Sequence, residues 1–160
     1  MLLSLELFIM LVLANGSPVL VERLLRERGA WPVDGGRCWQ DGRPLFGRSK
    51  TWRGVLAGTL SCLIFGALVG LGWVFSGLFG LLALTGDLIS SFIKRRRGFS
   101  AGARAPGLDQ LPEALLPMLL AWAWLPLAIW QVILVTLCFA LGNIWVSPML
   151  YRLGIRSQPH

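Results

Sequence analysis

The chain has 160 residues, is 55% hydrophobic and only 14% charged, and carries a net charge of +7. A soluble domain usually has about 25% charged residues, so this composition excludes an ordinary soluble protein. A basic balance can indicate nucleic acid. Here the cations are confined to short segments between long apolar runs, the positive-inside pattern of membrane proteins, and no nucleic-acid partner is expected.

Met1 to Val21 carries one charge, Glu6. Gly54 to Ile93 carries only Asp87, and Leu111 to Tyr151 only Glu113. At about 20 apolar residues per span, these runs predict one, two and two helices. The expected fold is an all-α integral membrane protein with five transmembrane helices, in a single membrane domain over residues 1–160. The first run has Glu6 where a signal peptide would carry cations, which favours a retained span.

Helix one is expected over Leu2 to Leu20, interrupted by Ala14-Asn15-Gly16-Ser17-Pro18. Two readings are open for that stretch: irregular backbone beside a cavity, or a simple proline kink. The next segment, residues 22–53, opens with the amphipathic VERLLRERG and continues through the Asp34-Gly35 and Asp41-Gly42 turn signals. It is too long to be a bare connector, so it should fold over the membrane face. Helices two and three form a hairpin turning near Gly70–Trp73. Helices four and five form another, turning near Leu125–Leu127. The Gly54/Gly58 and Gly66/Gly70 pairs suit close helix packing.

With the N-terminus outside, residues 22–53, residues 94–110 and the C-terminal tail are cytoplasmic. These segments hold all 15 Lys and Arg residues, including Arg104, Arg152 and Arg156, and the outer turns hold none. Cys38, Cys62 and Cys138 form no CxxC pair, and one histidine, His160, makes zinc or imidazole chemistry unexpected.

The chemistry concentrates in Thr85 to Glu113. An aspartate within a membrane-length segment is costly and points to function. Asp87, Ser91 and Arg95 share a helix face at four-residue spacing, beside Lys94. Such a face suits Mg²⁺, which takes one or two carboxylates plus substrate phosphates. Asp109 and Glu113 share a face of helix four; they could ligate the same metal or simply cap the helix. In the run Lys94 to Arg97, Lys94 and Arg95 are expected to face the acids, and one or both of Arg96 and Arg97 to face lipid headgroups. Lys50, Thr51 and Arg53 lead into a helix N-terminus, a potential phosphate site, although the glycine spacing of a P-loop is absent. Plain membrane-flanking cations are the competing reading there.

Several pieces occur together: Ala14-Asn15-Gly16-Ser17-Pro18, Asp41-Gly42-Arg43, Gly47-Arg48-Ser49-Lys50-Thr51-Trp52-Arg53-Gly54, Gly86-Asp87-Leu88 with Ser91 and Lys94-Arg95, and Pro106-Gly107-Leu108-Asp109-Gln110. In content and order they resemble the CDP-archaeol synthase family of small five-helix membrane proteins, which is similar to phosphatidate cytidylyltransferases. One difference stands out. The family's acidic pair reads Asp-Gln-Leu-Asp, whereas here Pro112 takes the fourth place and the acid is Glu113. The resemblance implies transfer of a cytidylyl group from CTP to a lipid phosphate, of isoprenoid-ether or diacyl type, with Mg²⁺ and release of pyrophosphate. The expected roles are Asp87, Lys94 and Arg95 as catalytic residues and Lys50, Thr51, Arg53 and Ser91 as nucleotide contacts. Asp87, Asp109 and Glu113 are the expected metal ligands. The rival reading is a non-enzymatic membrane scaffold or lipid-binding protein, whose acids serve packing and capping. A small transporter fits less well, because the acids cluster at one face.

Overall fold

The computed structural model describes residues 1–100, 103 and 105–152, with side chains described as far as Trp145. Arg104 and residues 153–160, including Arg156 and His160, lie outside the described residues. Five helices follow in order: α1 Leu2–Leu25, α2 Trp52–Leu68, α3 Trp73–Arg96, α4 Gln110–Trp124 and α5 Ile129–Arg152. No strand occurs among the described residues; two isolated bridges, Pro32 with Thr51 and Cys38 with Pro44, stitch the α1–α2 loop.

The helix packing depends on small residues. Gly58 of α2 lies against the Ala14 carbonyl of α1, where a Cβ would stand only 2.5 Å away. That carbonyl is four residues before Pro18, whose nitrogen carries no hydrogen, so its helical donor is missing. Close approach of α2 covers the gap. Gly66 admits the Ser76 side chain of α3, and Gly80 of α3 packs on Cys62. Gly86 of α3 touches the Pro112–Glu113 backbone of α4. Between them sits a core that includes Leu7, Met10, Phe75, Phe79, Met118 and Val132.

The outward faces are apolar as well. Leu56, Leu60 and Ile64 form a four-residue stripe on α2 and are 52–60% exposed. Ile133, Leu137, Leu141 and Trp145 form another on α5. Soluble monomers rarely expose contiguous apolar patches of this kind, and lipid is the medium in which such stripes carry no penalty. Among the described residues, α1 and α3 are long and apolar enough to cross a membrane. α2 and α4 have 17 and 15 residues, short of the roughly 20 that a span requires.

Several expected boundaries shift. α1 does not break at Asn15–Pro18 but runs on to Leu25, absorbing part of the amphipathic segment. The Asn15 amide donates to the Leu11 carbonyl at 2.9 Å and the Ser17 hydroxyl to the Leu13 carbonyl at 2.7 Å. These residues thus satisfy themselves within the helix, and the irregular backbone of the cavity reading is absent. α3 continues beyond Ile93 to Arg96. Lys94, Arg95 and Arg96 therefore form its last turn, where cations complement the helix dipole. The two turns fall where expected, at residues 69–72 and 125–128.

Candidate active site

The first loop is folded around Asp34, a 7% exposed carboxylate. Its Oδ2 accepts the backbone N–H of Phe46 (3.0 Å) and Gly47 (3.1 Å), and its Oδ1 that of Gly36 (2.9 Å). Burial pushes its pKa up, but these donors outweigh that and hold it below the ordinary aspartate value. The strand-like pairing of Val33 N–H with the Lys50 carbonyl (2.8 Å) and Trp52 N–H with the Trp31 carbonyl (3.0 Å) fixes the end of the loop. Sequence reading assigned Asp34 only to a turn. Its Asp-Gly-Gly context carries no sign that the carboxylate would bind amides twelve and thirteen residues away.

The fixed loop delivers Lys50 to α3. Its ammonium donates to both oxygens of Asp87, at 2.7 and 2.6 Å, with the two side chains 24% and 26% exposed. A second ion pair joins Lys94 and Asp109 at 2.7 Å, with exposures of 13% and 25%. Asp109 stands at the N-cap position of α4 but has helical dihedrals and makes no capping bond. Its Oδ2 instead accepts the Ala105 N–H at 2.9 Å. Its Oδ1 faces the Lys94 ammonium without hydrogen-bond alignment, so this buried oxygen has a charge partner but no directed donor. Capping therefore does not account for Asp109.

Arg95 is 7% exposed and donates to the Ser100 carbonyl at 2.9 Å, within electrostatic reach of Asp109. Ser91 is buried one turn before it. Glu113 is also buried and accepts from the Asn143 amide of α5 at 3.0 Å. Asn143 was not foreseen: a lone amide in an apolar run is indistinguishable from a packing residue until its partner is known.

The structure therefore joins Lys50 with Asp87, and Lys94 and Arg95 with Asp109. The Gly86 contact brings the backbone of α3 beside that of Glu113. It does not unite Asp87, Asp109 and Glu113, since no group of three potential ligands forms among the described residues. Nor does it bring Thr51 and Arg53 to the acids. The Thr51 hydroxyl caps α2 by accepting the Gly54 N–H, and Arg53 Nη1 donates to the Arg28 carbonyl at 2.5 Å. With Trp52 N–H also occupied, the start of α2 offers less open phosphate-binding backbone than its sequence implied. Of the two candidate lipid anchors, Arg96 is not the one left free for headgroups. It is bonded to the first loop rather than turned to lipid, while Arg97 is exposed.

The chemistry of the donor set fits a hard divalent cation. Asp87 and Asp109 are oxygen donors, each retaining about a quarter of its exposure, and one or two carboxylates are what Mg²⁺ commonly takes from protein. The neighbouring lysines are suited to phosphate oxygens.

The family model described as CarS-like, CDP-archaeol synthase, matches residues 1–160. The CDP-archaeol synthase of Thermococcus kodakarensis is 37% identical over 161 residues, covering 91% of this chain and 88% of its own. That of Sulfolobus acidocaldarius is 34% identical over 165 residues, covering 99% and 98%. A solved intramembrane enzyme for archaeal membrane lipid biosynthesis superimposes with a TM-score of 0.70 at 32% identity, covering 88% of this chain and 90% of that one. On this match across its whole length, the chain belongs to the CDP-archaeol synthase family.

Proposed function

We propose that this protein is a CTP-dependent cytidylyltransferase that makes a CDP-activated lipid from a lipid phosphate in membrane lipid biosynthesis. Family membership supports the reaction. The structural observation that carries it is the pair of lysine–aspartate contacts, Lys50 with Asp87 within α3 and Lys94 with Asp109 where α3 ends and α4 begins. Both members of each pair have a role in binding a metal-complexed triphosphate. An archaeol-type phosphate is the favoured acceptor, given the relatives' names.

In this reading one oxygen of the lipid phosphate attacks the α-phosphorus of CTP, the bond to the β-phosphate oxygen breaks, and pyrophosphate leaves. The nucleophile is already anionic near neutral pH, because its second pKa is near 6. No histidine is required to deprotonate it. The protein's task is to align two anions and neutralise their repulsion. Lys50 and Lys94 would turn from the carboxylates to phosphate oxygens, and Arg95 would stabilise the leaving pyrophosphate. Asp87 and Asp109 would hold Mg²⁺, with Glu113 behind them tying α4 to Asn143 of α5. Bound there, the metal supplies neutralising charge across the phosphates.

The proposed setting is one membrane domain with five spans, its N-terminus outside and its active site facing the cytoplasm, where CTP is available. The positive-inside rule supports this orientation: all 15 Lys and Arg residues then lie on one side. The lipid tails would enter sideways between helices whose outer faces are apolar.

The test is formation of radiolabelled CDP-lipid from CTP and an archaeol-type phosphate in membranes, with and without Mg²⁺. Asp87→Asn should abolish transfer while the protein still inserts and folds. Full activity in that variant would remove Asp87 from the site. Absence of transfer to both archaeol-type and diacyl phosphates would favour the scaffold reading.

A further inference from the structure

The first loop is fastened to the end of α3 by two arginines that clasp each other's backbone. Arg43 Nη1 donates to the carbonyls of Arg95 (3.3 Å) and Arg96 (3.0 Å). Arg96 reciprocates: its Nη2 donates to the carbonyls of Arg43 (3.1 Å) and Pro44 (2.6 Å), and its Nη1 to Asp41 Oδ1. The Arg96 guanidinium also lies 5.1 Å over the Phe92 ring, and Trp39 of the loop meets that ring edge-on at 5.6 Å. Gly98, at φ +81, turns the chain away beneath Arg43, and a Cβ there would stand 3.1 Å from Arg43 Nη1. The last carbonyls of a helix lack intrahelical donors and form its negative end. Arg43 supplies both a donor and a positive charge.

The consequence follows from what else these two elements carry. Lys50 lies on the same loop seven residues after Arg43, and Asp87 on the same helix nine residues before Arg96. The latch and the Lys50–Asp87 pair are therefore two fastenings of one loop on one helix. We infer that Arg96, together with Arg43, is a positioning residue for the transfer reaction, holding the first loop on α3 so that Lys50 faces Asp87. Its own contacts are with the first loop and the Phe92 ring. An anchor in the lipid headgroups would leave its terminal nitrogens free, whereas Nη1 and Nη2 of Arg96 are spent on Asp41 and the loop carbonyls. This inference rests on the cytidylyltransferase reading, but its physical core can be tested without turnover.

Purified protein is treated with trypsin, and the Arg96→Ala, Arg96→Lys, Arg43→Ala and Arg97→Ala variants are compared with the parent for cleavage and for kinetics. Arg96→Ala and Arg43→Ala should open the loop to cleavage after Arg37 and Arg48. They should also raise KM for CTP about tenfold, with kcat held within about twofold, the signature of lost binding rather than lost chemistry. Arg96→Lys should not restore the parent's behaviour, because a single ammonium cannot reproduce the guanidinium fork. Arg97→Ala should match the parent. A loop in Arg96→Ala as protected as the parent's, with an unchanged KM, would overturn the inference. So would equal effects of Arg97→Ala, which would point to general surface charge. Should Arg96→Ala fail to fold, Arg43→Ala tests the same latch from the loop side. A parent without CTP-dependent activity would defeat the cytidylyltransferase reading while leaving the protease result to decide the latch.

Discussion

Gly86→Ala is a one-carbon change that acts on the site without touching any charged group. The missing side chain lets α3 lie against the Pro112–Glu113 backbone of α4, and a Cβ would stand 2.6 Å from Glu113 Cα. Carbon atoms settle at about 3.5–4.0 Å, so the helices must part by about 1 Å, and backbone cannot rotate out of the way as a side chain can. Overpacking of this kind costs about 1–3 kcal/mol, offset by about 1 kcal/mol from alanine's better helix propensity. The expected net loss of stability is about 0–2 kcal/mol. Activity should suffer more, because Asp87 sits on α3 and Asp109 at the start of α4. A displacement of about 1 Å in a positioned site can cost about 100-fold in rate. Gly77→Ala is the control, since its Cβ would meet only Leu63 Cδ1 at an ordinary 3.8 Å. Thermal unfolding in detergent and CDP-lipid formation are measured for both variants. A Gly86→Ala protein as stable and as active as the parent would refute the claim that this contact sets the spacing of the two aspartates.

Lys50→Ala should lower CDP-lipid formation at least about 100-fold while barely moving the unfolding temperature, since ion pairs this exposed contribute about 1 kcal/mol or less; a stability loss matching the activity loss would make Lys50 structural. Asp34 has a folded pKa below its unfolded value of about 3.9, so its stabilisation is present above that value and is lost as pH falls through the lower, folded pKa. Hydrogen-exchange protection of Phe46 and Gly47 should hold from neutral pH down to about 4 and fail only in stronger acid. Asp34→Asn should lose it at neutral pH, and parental protection that already fades between neutrality and that point would contradict the assignment. Asn143→Ala removes a bond to the buried Glu113 and should cost about 1–3 kcal/mol in detergent unfolding; an unchanged midpoint would show that α4 and α5 do not depend on it.

The helices were legible because their signal is cumulative. Long apolar runs, glycine spacing and turn residues agree on five elements, and the observed turns coincide with the expected ones. The Asn15–Pro18 stretch misled because glycine, proline and polar residues read as a break, whereas Asn15 and Ser17 satisfy neighbouring carbonyls and Gly58 covers the one freed by Pro18. In the candidate site, Asp87, Lys94, Arg95 and Asp109 stood out because charge is rare in such a chain. Lys50 stood out as well, as a phosphate contact, but its pairing with Asp87 did not. Lys50 reaches Asp87 across 37 residues, and Arg96 reaches Arg43 across 53. No periodicity encodes contacts of that range. The cation run Lys94 to Arg97 reads as uniform in sequence, yet helix geometry sends successive side chains to different surroundings. That is why Arg96 grips the loop while Arg97 is exposed.

The partial exposure of the two ion pairs bears on how the proposed site can work. Asp87 and Asp109 each hold a cation before any substrate arrives. Complete burial would make those pairs hard to break, since removing one partner from a buried pair costs about 3–5 kcal/mol. Full exposure would let salt screen the field they create. With exposures between 13% and 26%, Lys50, Lys94 and their aspartates lie between these limits. A triphosphate alone offers the lysines a better anion but strands two carboxylates. A divalent cation alone satisfies the carboxylates but strands two lysines. Only the two together give every charged side chain a replacement partner, so each raises the affinity for the other by the same factor. On this reading the resting ion pairs favour binding of the complete metal–nucleotide complex over binding of either part.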